Sequence, residues 1–131
     1  MASLVPSVGK AVISGRMFGA TPTQTEPHFV GWGTGAVAGS AASTDLSTPA
    51  TEARVSGTSS QFTTTNANDT HQIVGTLTAN GTKTITNVGI FDAAGSGSPP
   101  AGGVLYAIFD GLSQALNNGD SVQFSARIQF L

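Results

Sequence analysis

The sequence predicts an all-β protein, a single two-sheet antiparallel β-sandwich of the jelly-roll or immunoglobulin-like type. Turn signals rich in glycine, asparagine and proline separate about eight short strand-like segments, as in sandwiches. No segment has the 3.6-residue period of an amphipathic helix. The final segment alternates almost without error, which is typical of a strand with one buried face. Its predicted inward residues are Val122, Phe124, Ala126, Ile128 and Phe130.

Length and composition favour one sparsely charged, self-contained domain. A chain of 131 residues can hide about two-thirds of its unfolded surface in one core. We expect residues 10–131 to form this domain and residues 1–9 to form an extended N-terminal arm, because Pro6 and Gly9 disfavour helix. The arm can lie on a neighbouring subunit or on its own domain. We expect a soluble product without a cleaved leader.

The charge pattern argues against polyanionic partners. Only 9% of the residues are charged, the net charge is −2, and the basic residues are scattered singly. Such a surface offers no concentrated positive field, so neither nucleic acid nor a membrane is an expected partner. The chain has no cysteine, which excludes disulfides, thiolate catalysis and cysteine metal sites.

The first half of the chain predicts two strands and a long loop. Residues 11–18 and 28–32 are strand-like and are separated by a Thr/Pro-rich loop at 21–27. Residues 33–50 are almost all small, so they form no core of their own. Long loops in compact domains usually have a function such as binding. This loop is therefore the first candidate for a functional segment, with an inert surface excursion as the alternative.

The second half is more regular. Strands are expected at 53–58, 61–64, 72–78, 82–86, 88–91, 104–109 and 120–131, with a turn at 65–69, a loop at 93–103 and a connector at 112–118. Asn80-Gly81 lies between two of these strands and predicts a β-hairpin, since both residue types accept positive φ. A bulge is expected at Asn87, where the alternation slips.

Residues able to carry catalysis are few. The only possible imidazole bases are His28 and His71, and we expect both to be hydrogen-bonded or to face solvent. The best candidate for an enzyme centre would be His71 with Asp69. We expect no catalytic site, no cofactor and no metal, since two histidines cannot complete a transition-metal set. Calcium stays formally open through carboxylates at strand ends, which are Asp92, Asp110 and Asp120.

Two further local patterns have simple structural interpretations. Gly31 to Gly35 is glycine-rich, but no lysine follows it, so it does not predict a phosphate loop. Trp32 inside it is interpreted as a core or interface anchor. The tripeptides beginning at Asn68 and Asn80 match the glycosylation sequon, and we interpret both as turns.

Four glycine and strand motifs resemble small structural proteins of tailed bacteriophages, of the capsid decoration (cement) or tail-fibre-like kind. These motifs are residues 27–35 (PHFVGWGTG), 52–58 (EARVSGT), 87–93 (NVGIFDA) and 119–124 (GDSVQF). The resemblance spans most of residues 27–131. It implies a decoration protein, a β-sandwich that binds the outer surface of the phage capsid as a homotrimer and clamps the capsomers of the major capsid protein. A tail-fibre or receptor-binding module is the alternative.

The residues expected at the capsid or subunit interface come from the arm and the long loop. Both segments are apolar or adaptable, and neither is needed for the predicted core. Trp32 joins them because an interface role is as plausible for it as a core role. The predicted interface residues are Leu4, Val5, Val8, Trp32, Val37 and Leu46.

Overall fold

A computed structural model describes residues 2–18 and 25–131 of the chain. The described part is mainly β, in antiparallel ladders, with one helix. The all-β prediction is confirmed, although the strands form three sheets. The helix is α1 (Ser7–Met17), and the strands are β1 (Ala2–Leu4), β2 (Phe29–Gly33), β3 (Val55–Ser56), β4 (Thr58–Phe62), β5 (Thr70–Thr78), β6 (Lys83–Ile85), β7 (Asn87–Phe91), β8 (Leu105–Asp110), β9 (Gln114–Leu116) and β10 (Ser121–Gln129).

The sheets contain five, three and two strands. Their orders are β1-β8-β7-β2-β3, β10-β5-β4 and β6-β9. The main core lies between the first two sheets and includes Val30, Ile73 and Ile90, each fully buried. A smaller cluster of Leu46, Phe91, Leu105 and Ile108 covers the other face of the five-stranded sheet.

The N-terminal region differs from the prediction. Residues 11–17 are helical, so the strand expected at 11–18 is wrong, and the boundary expected between residues 9 and 10 falls inside α1. Pro6 occupies the N-cap position with φ −69°, and its carbonyl oxygen accepts the main-chain N–H of Lys10 at 3.0 Å. Because its ring lies before the first turn, it does not interrupt the hydrogen bonds of the helix. Val12, only 1% exposed, anchors the helix in the core. Packing therefore outweighs the weak helical pattern.

The predicted extended arm is only partly extended. Residues 2–4 form β1, which pairs with β8 at the edge of the five-stranded sheet. The chain then turns into α1 at Ser7, whose main-chain N–H donates to Ala41 O at 2.9 Å. Within the described residues, the arm thus lies on its own domain.

The hairpin predicted at Asn80-Gly81 is wrong. The strand before it, β5, pairs with β10 and β4, whereas the strand after it, β6, pairs with β9 in another sheet. The main chain of Ala79 exchanges hydrogen bonds with Gly119 and Asp120, both at 2.8 Å. The segments before and after Asn80 therefore have different partner strands, and the chain crosses between sheets there instead of folding back.

One strand segment is shared by two sheets. Only Gly57 separates β3, in the five-stranded sheet, from β4, in the three-stranded sheet. Its main-chain N–H donates to His28 O at 2.7 Å. A Cβ at this position would lie 2.8 Å from Ile73 and 2.9 Å from His28 O, so the corner requires glycine.

The remaining expectations are met in part. In β10 the alternation is confirmed, with Ala126 buried and Phe124 half-buried, although Phe130 is 49% exposed. The bulge expected at Asn87 is instead an interruption at Thr86, between β6 and β7, and the ladder of β7 with β8 is irregular after Ile90. The connector at 112–118 contains the short strand β9, and the loop at 93–103 is closed by a bridge between Ser96 and Ala101.

Candidate functional site

An apolar groove lies between the free edges of two strands, β1 and β10. In the described chain β1 and β10 are edge strands of their sheets, so each has one edge without a partner strand. Two adjoining cavities of about 340 and 180 Å³ lie between them and share Ser3, Phe109 and Arg127. We call this surface the edge groove. Its half-buried apolar residues are Leu4, Val5, Phe109, Leu112, Phe124 and Ile128.

The outward residues of β10 are unusually uncharged for a strand edge. The strand has nine residues and contains no proline, and Arg127 is its only charged residue. Natural proteins usually protect a long edge with charges, proline or a bulge, because an unprotected edge pairs with other chains. This edge is therefore chemically suited to strand addition.

The long loop at 33–50 is pinned to the domain. The buried side chain of Asn87 accepts the Ser47 N–H at 3.2 Å and donates to Ser47 O at 3.1 Å. Gly39 N–H donates to Asp110 Oδ2 at 2.6 Å. The loop presents Val37, 75% exposed, just before Gly39, and the main-chain N–H of Val37 donates to Ser47 Oγ at 3.1 Å. An apolar side chain on a restrained loop suits binding, because little entropy is lost on contact.

The six predicted interface residues lie in different environments. Leu4 and Val5 line the edge groove, and Val37 lies on the exposed loop. Trp32 and Leu46 are buried, at 2% and 7% exposure, and Val8 packs beside Leu46. The structure thus gathers two of the six at one surface. Phe109, Phe124 and Ile128 were not singled out as interface residues. The low charge of β10 is the sequence signal for Phe124 and Ile128, whereas no sequence signal marks Phe109, which lies on β8.

Polar contacts fix the buried side chain of Trp32. Its indole N–H donates to Glu52 Oε2 at 3.2 Å, and the Lys83 ammonium pairs with Glu52 Oε1. The Asn80 main-chain N–H donates to the same oxygen at 2.9 Å. Burial raises the pKa of Glu52, but the hydrogen bonds from Lys83, Asn80 and Trp32 outweigh it, so this pKa lies below its usual value.

We expect the Glu52→Gln variant to lose about 1 to 2 kcal/mol of stability at pH 7. The carboxylate is stabilised by folding, so its contribution is present above the unfolded-state pKa of 4.5 and is lost as the pH falls through the lower folded-state value. Urea unfolding at pH 7 and at pH 3 measures this: the variant should lose less stability on acidification than the wild type.

The control for this experiment is Glu26→Gln, which changes the only other glutamate, an exposed residue. It should keep the wild-type pH profile. Equal acid sensitivity of wild type and Glu52→Gln would contradict the assigned role of Glu52.

His71 and Asp69, the best candidates for an enzyme centre, have separate hydrogen-bond partners. The Asp69 carboxylate instead accepts the main-chain N–H groups of residues 64–66 at 2.9 to 3.1 Å, closing the turn before β5 and holding its own pKa far below the usual value. The two nitrogens of His71 bond to Ser59 Oγ at 2.8 Å and to Tyr106 OH at 3.3 Å. The expectation that His71 is hydrogen-bonded is confirmed.

Residues 2–18 and 25–131 contain neither a candidate metal site nor a membrane-spanning helix. No group of three or more histidine, aspartate or glutamate side chains there is arranged to hold a metal ion. Among the same residues, no helix has the length and hydrophobicity needed to cross a bilayer.

Comparison with known proteins yields no relative. No protein-family model, no curated protein and no solved structure matches the chain.

Proposed function

We propose that this chain is a structural protein of a tailed-bacteriophage virion, a capsid decoration protein without enzymatic activity. In this proposal it forms a homo-oligomer, a trimer as the sequence resemblance implies, on the outer surface of the capsid. There it binds the major capsid protein and stabilises contacts between capsomers. The observation that carries an assembly role is the nine-residue β10 edge, which bears a single charge and borders the apolar edge groove.

We infer that the three sheets form the two layers of one sandwich of the jelly-roll or immunoglobulin-like type. Only Thr86 separates β6 from β7, and three residues separate β8 from β9. The Leu112 N–H donates to Thr86 O at 3.0 Å across this interruption. On this interpretation, the β6-β9 ladder continues the five-stranded sheet, and the second layer is β10-β5-β4.

The proposal assigns contacts between copies and contacts with the capsid to two different surfaces. The edge groove joins copies of the chain, because an unprotected strand edge adds a strand from a neighbour with main-chain hydrogen bonds. The pinned loop with Val37 contacts the capsid protein. Each contact is small, but linked copies bind with a high effective concentration, so weak individual contacts give durable attachment.

The test adds charge beside the β10 edge. Gln123 and Ser125 are exposed on β10, so the Gln123→Lys/Ser125→Lys variant leaves the core intact. We expect the wild type to have a mass in solution that is a multiple of 13.1 kDa, and the double variant to be a monomer that no longer co-purifies with phage particles. Light scattering and sedimentation of particles measure both properties.

Thr76→Lys is the matched control. Thr76 is exposed and lies directly opposite Gln123, but on β5, the middle strand of the three-stranded sheet. This variant should keep the wild-type mass and particle binding. A monomeric wild type that is absent from particles would overturn the proposal. Antibody labelling at the fibre tips instead of the head would favour the receptor-binding alternative.

A further inference from the structure

A second cavity, separate from the edge groove, lies under α1. It has a volume of about 660 Å³, within the usual range for small-molecule sites. Its walls are mostly apolar and come from Val12, Ile13 and Met17 of α1, with Pro27 and Phe130. The two charged residues that line it, Arg16 and Glu26, have opposite signs. It shares no lining residue with the edge groove.

Three polar side chains form a hydrogen-bonded chain across this cavity. Ser59 on β4 and His71 on β5 face inward from the three-stranded sheet, and Tyr106 on β8 comes from the five-stranded sheet. The Ser59 Oγ to His71 Nε2 distance is 2.8 Å, and the His71 Nδ1 to Tyr106 OH distance is 3.3 Å. The histidine therefore bridges the two sheets.

Burial keeps the side chains of this hydrogen-bonded group uncharged. Desolvation lowers the pKa of His71, and the charge of Glu26 opposes this only in part. Desolvation also raises the pKa of Tyr106 to about 12. Near neutral pH the imidazole is therefore neutral and the phenol protonated.

The hydrogen-bonded group of Ser59, His71 and Tyr106 has three hydrogen atoms that it can donate. A neutral histidine has one ring N–H, and Ser59 and Tyr106 have one O–H each. The two hydrogen bonds within the chain use two of these three hydrogens. If Nδ1 carries the ring hydrogen, the Tyr106 O–H is left over; if Nε2 carries it, the Ser59 O–H is left over. In either tautomer one hydroxyl has a hydrogen to donate, and no further acceptor for it occurs among the described residues.

We propose that this cavity binds an uncharged, largely apolar molecule with one carbonyl oxygen, such as a ketone or ester with an alkyl chain. The alkyl chain packs against α1, Pro27 and Phe130. The carbonyl oxygen accepts the remaining hydroxyl hydrogen. The balanced charges of Arg16 and Glu26 give no preference for a charged ligand.

The probes for this site are 2-nonanone and 1-nonene, which have chains of equal length but differ in the acceptor oxygen. We expect titration calorimetry to show 2-nonanone binding the wild type about fivefold more tightly than 1-nonene, the worth of one neutral hydrogen bond. Equal affinities for the two probes, or no binding of 2-nonanone up to its solubility limit, would overturn the proposal.

Variants of the hydrogen-bonded residues should change the preference for 2-nonanone in a distinctive way. In Ser59→Ala or Tyr106→Phe alone, the two remaining groups make one bond and still leave one hydrogen, so the preference for 2-nonanone should largely persist. The triple variant Ser59→Ala/His71→Phe/Tyr106→Phe has no hydrogen to donate in this group, and the preference should fall to one or below. Loss of the full preference in both single variants would contradict the shared-donor mechanism. Unchanged near-ultraviolet circular dichroism confirms that each variant is folded.

The location of the site is tested by filling it. Ile13→Trp places a larger side chain in the cavity and should abolish binding of both probes. Val37→Trp, on the exposed loop outside the cavity, is the matched control and should bind like the wild type. Undiminished binding by a folded Ile13→Trp variant would place the probes elsewhere and reject this cavity. Because the two surfaces are separate, failure here leaves the proposed assembly function untouched.

Discussion

Replacing Gly9 by alanine is expected to destabilise the protein by about 2 kcal/mol, the usual cost of overpacking. In an exposed helix interior the same change stabilises by about 1 kcal/mol, because alanine is the better helix former. Here a Cβ would collide with the main-chain carbonyl of Tyr106, whose carbon would lie only 2.9 Å away. The colliding atoms belong to the main chain of a buried residue and not to the end of a flexible side chain, so α1 must shift and Val12 must leave its place in the core.

Urea unfolding measures this effect, and Gly81→Ala is the control. Gly81 lies in the crossing between sheets, where an added Cβ would have no neighbouring atom within 4 Å, and its φ is not positive. Its replacement should be neutral or slightly stabilising. A Gly9→Ala protein as stable as the wild type would show that α1 is not packed against β8 as described.

Replacing Arg54 by methionine is expected to cost about 3 kcal/mol. The guanidinium is buried and its Nη1 donates to Ala93 O at 3.1 Å and to Gly102 O at 2.6 Å. It also stacks 3.5 Å above the ring of Phe91. Methionine fills similar space but donates nothing, so two carbonyls lose their partner and the loop at 93–103 loses its attachment.

Arg127→Met provides a matched control at the surface. Arg127 also stacks on a ring, 3.9 Å above Phe62, and donates to Gln72 at 2.6 Å, but it is exposed. Its removal should cost less than about 1 kcal/mol. The comparison by urea unfolding at low protein concentration isolates burial as the cause. Equal losses for the two variants would contradict the role assigned to Arg54.

The β-strands were predictable where short-range patterning determines the structure. The alternation at 120–131 predicts the inward face of β10, because a side chain's direction in a strand depends only on its position. The helix α1 was not predictable in this way. Its stability depends on Val12 reaching the core and on Gly9 meeting β8, and both contacts involve residues distant in sequence.

The error at Asn80-Gly81 has a related cause. The dipeptide predicts a turn, but the partner of each flanking strand depends on contacts distant in sequence. Here β5 pairs with β10 and β4, whereas β6 pairs with β9. The candidate sites follow the same rule. Leu4 and Val37 could be chosen from composition, whereas Ser59, His71 and Tyr106 are brought together only by strand pairing and sheet stacking.

The passage of one strand through Gly57 has a mechanical consequence. Residues 55–62 run without a loop from one layer into the other, so a force applied to either layer is transmitted to its neighbour through covalent bonds. The two sheets are therefore joined by this covalent segment as well as by side-chain packing, which can slide under shear. A protein built in this way resists separation of its two larger sheets under load.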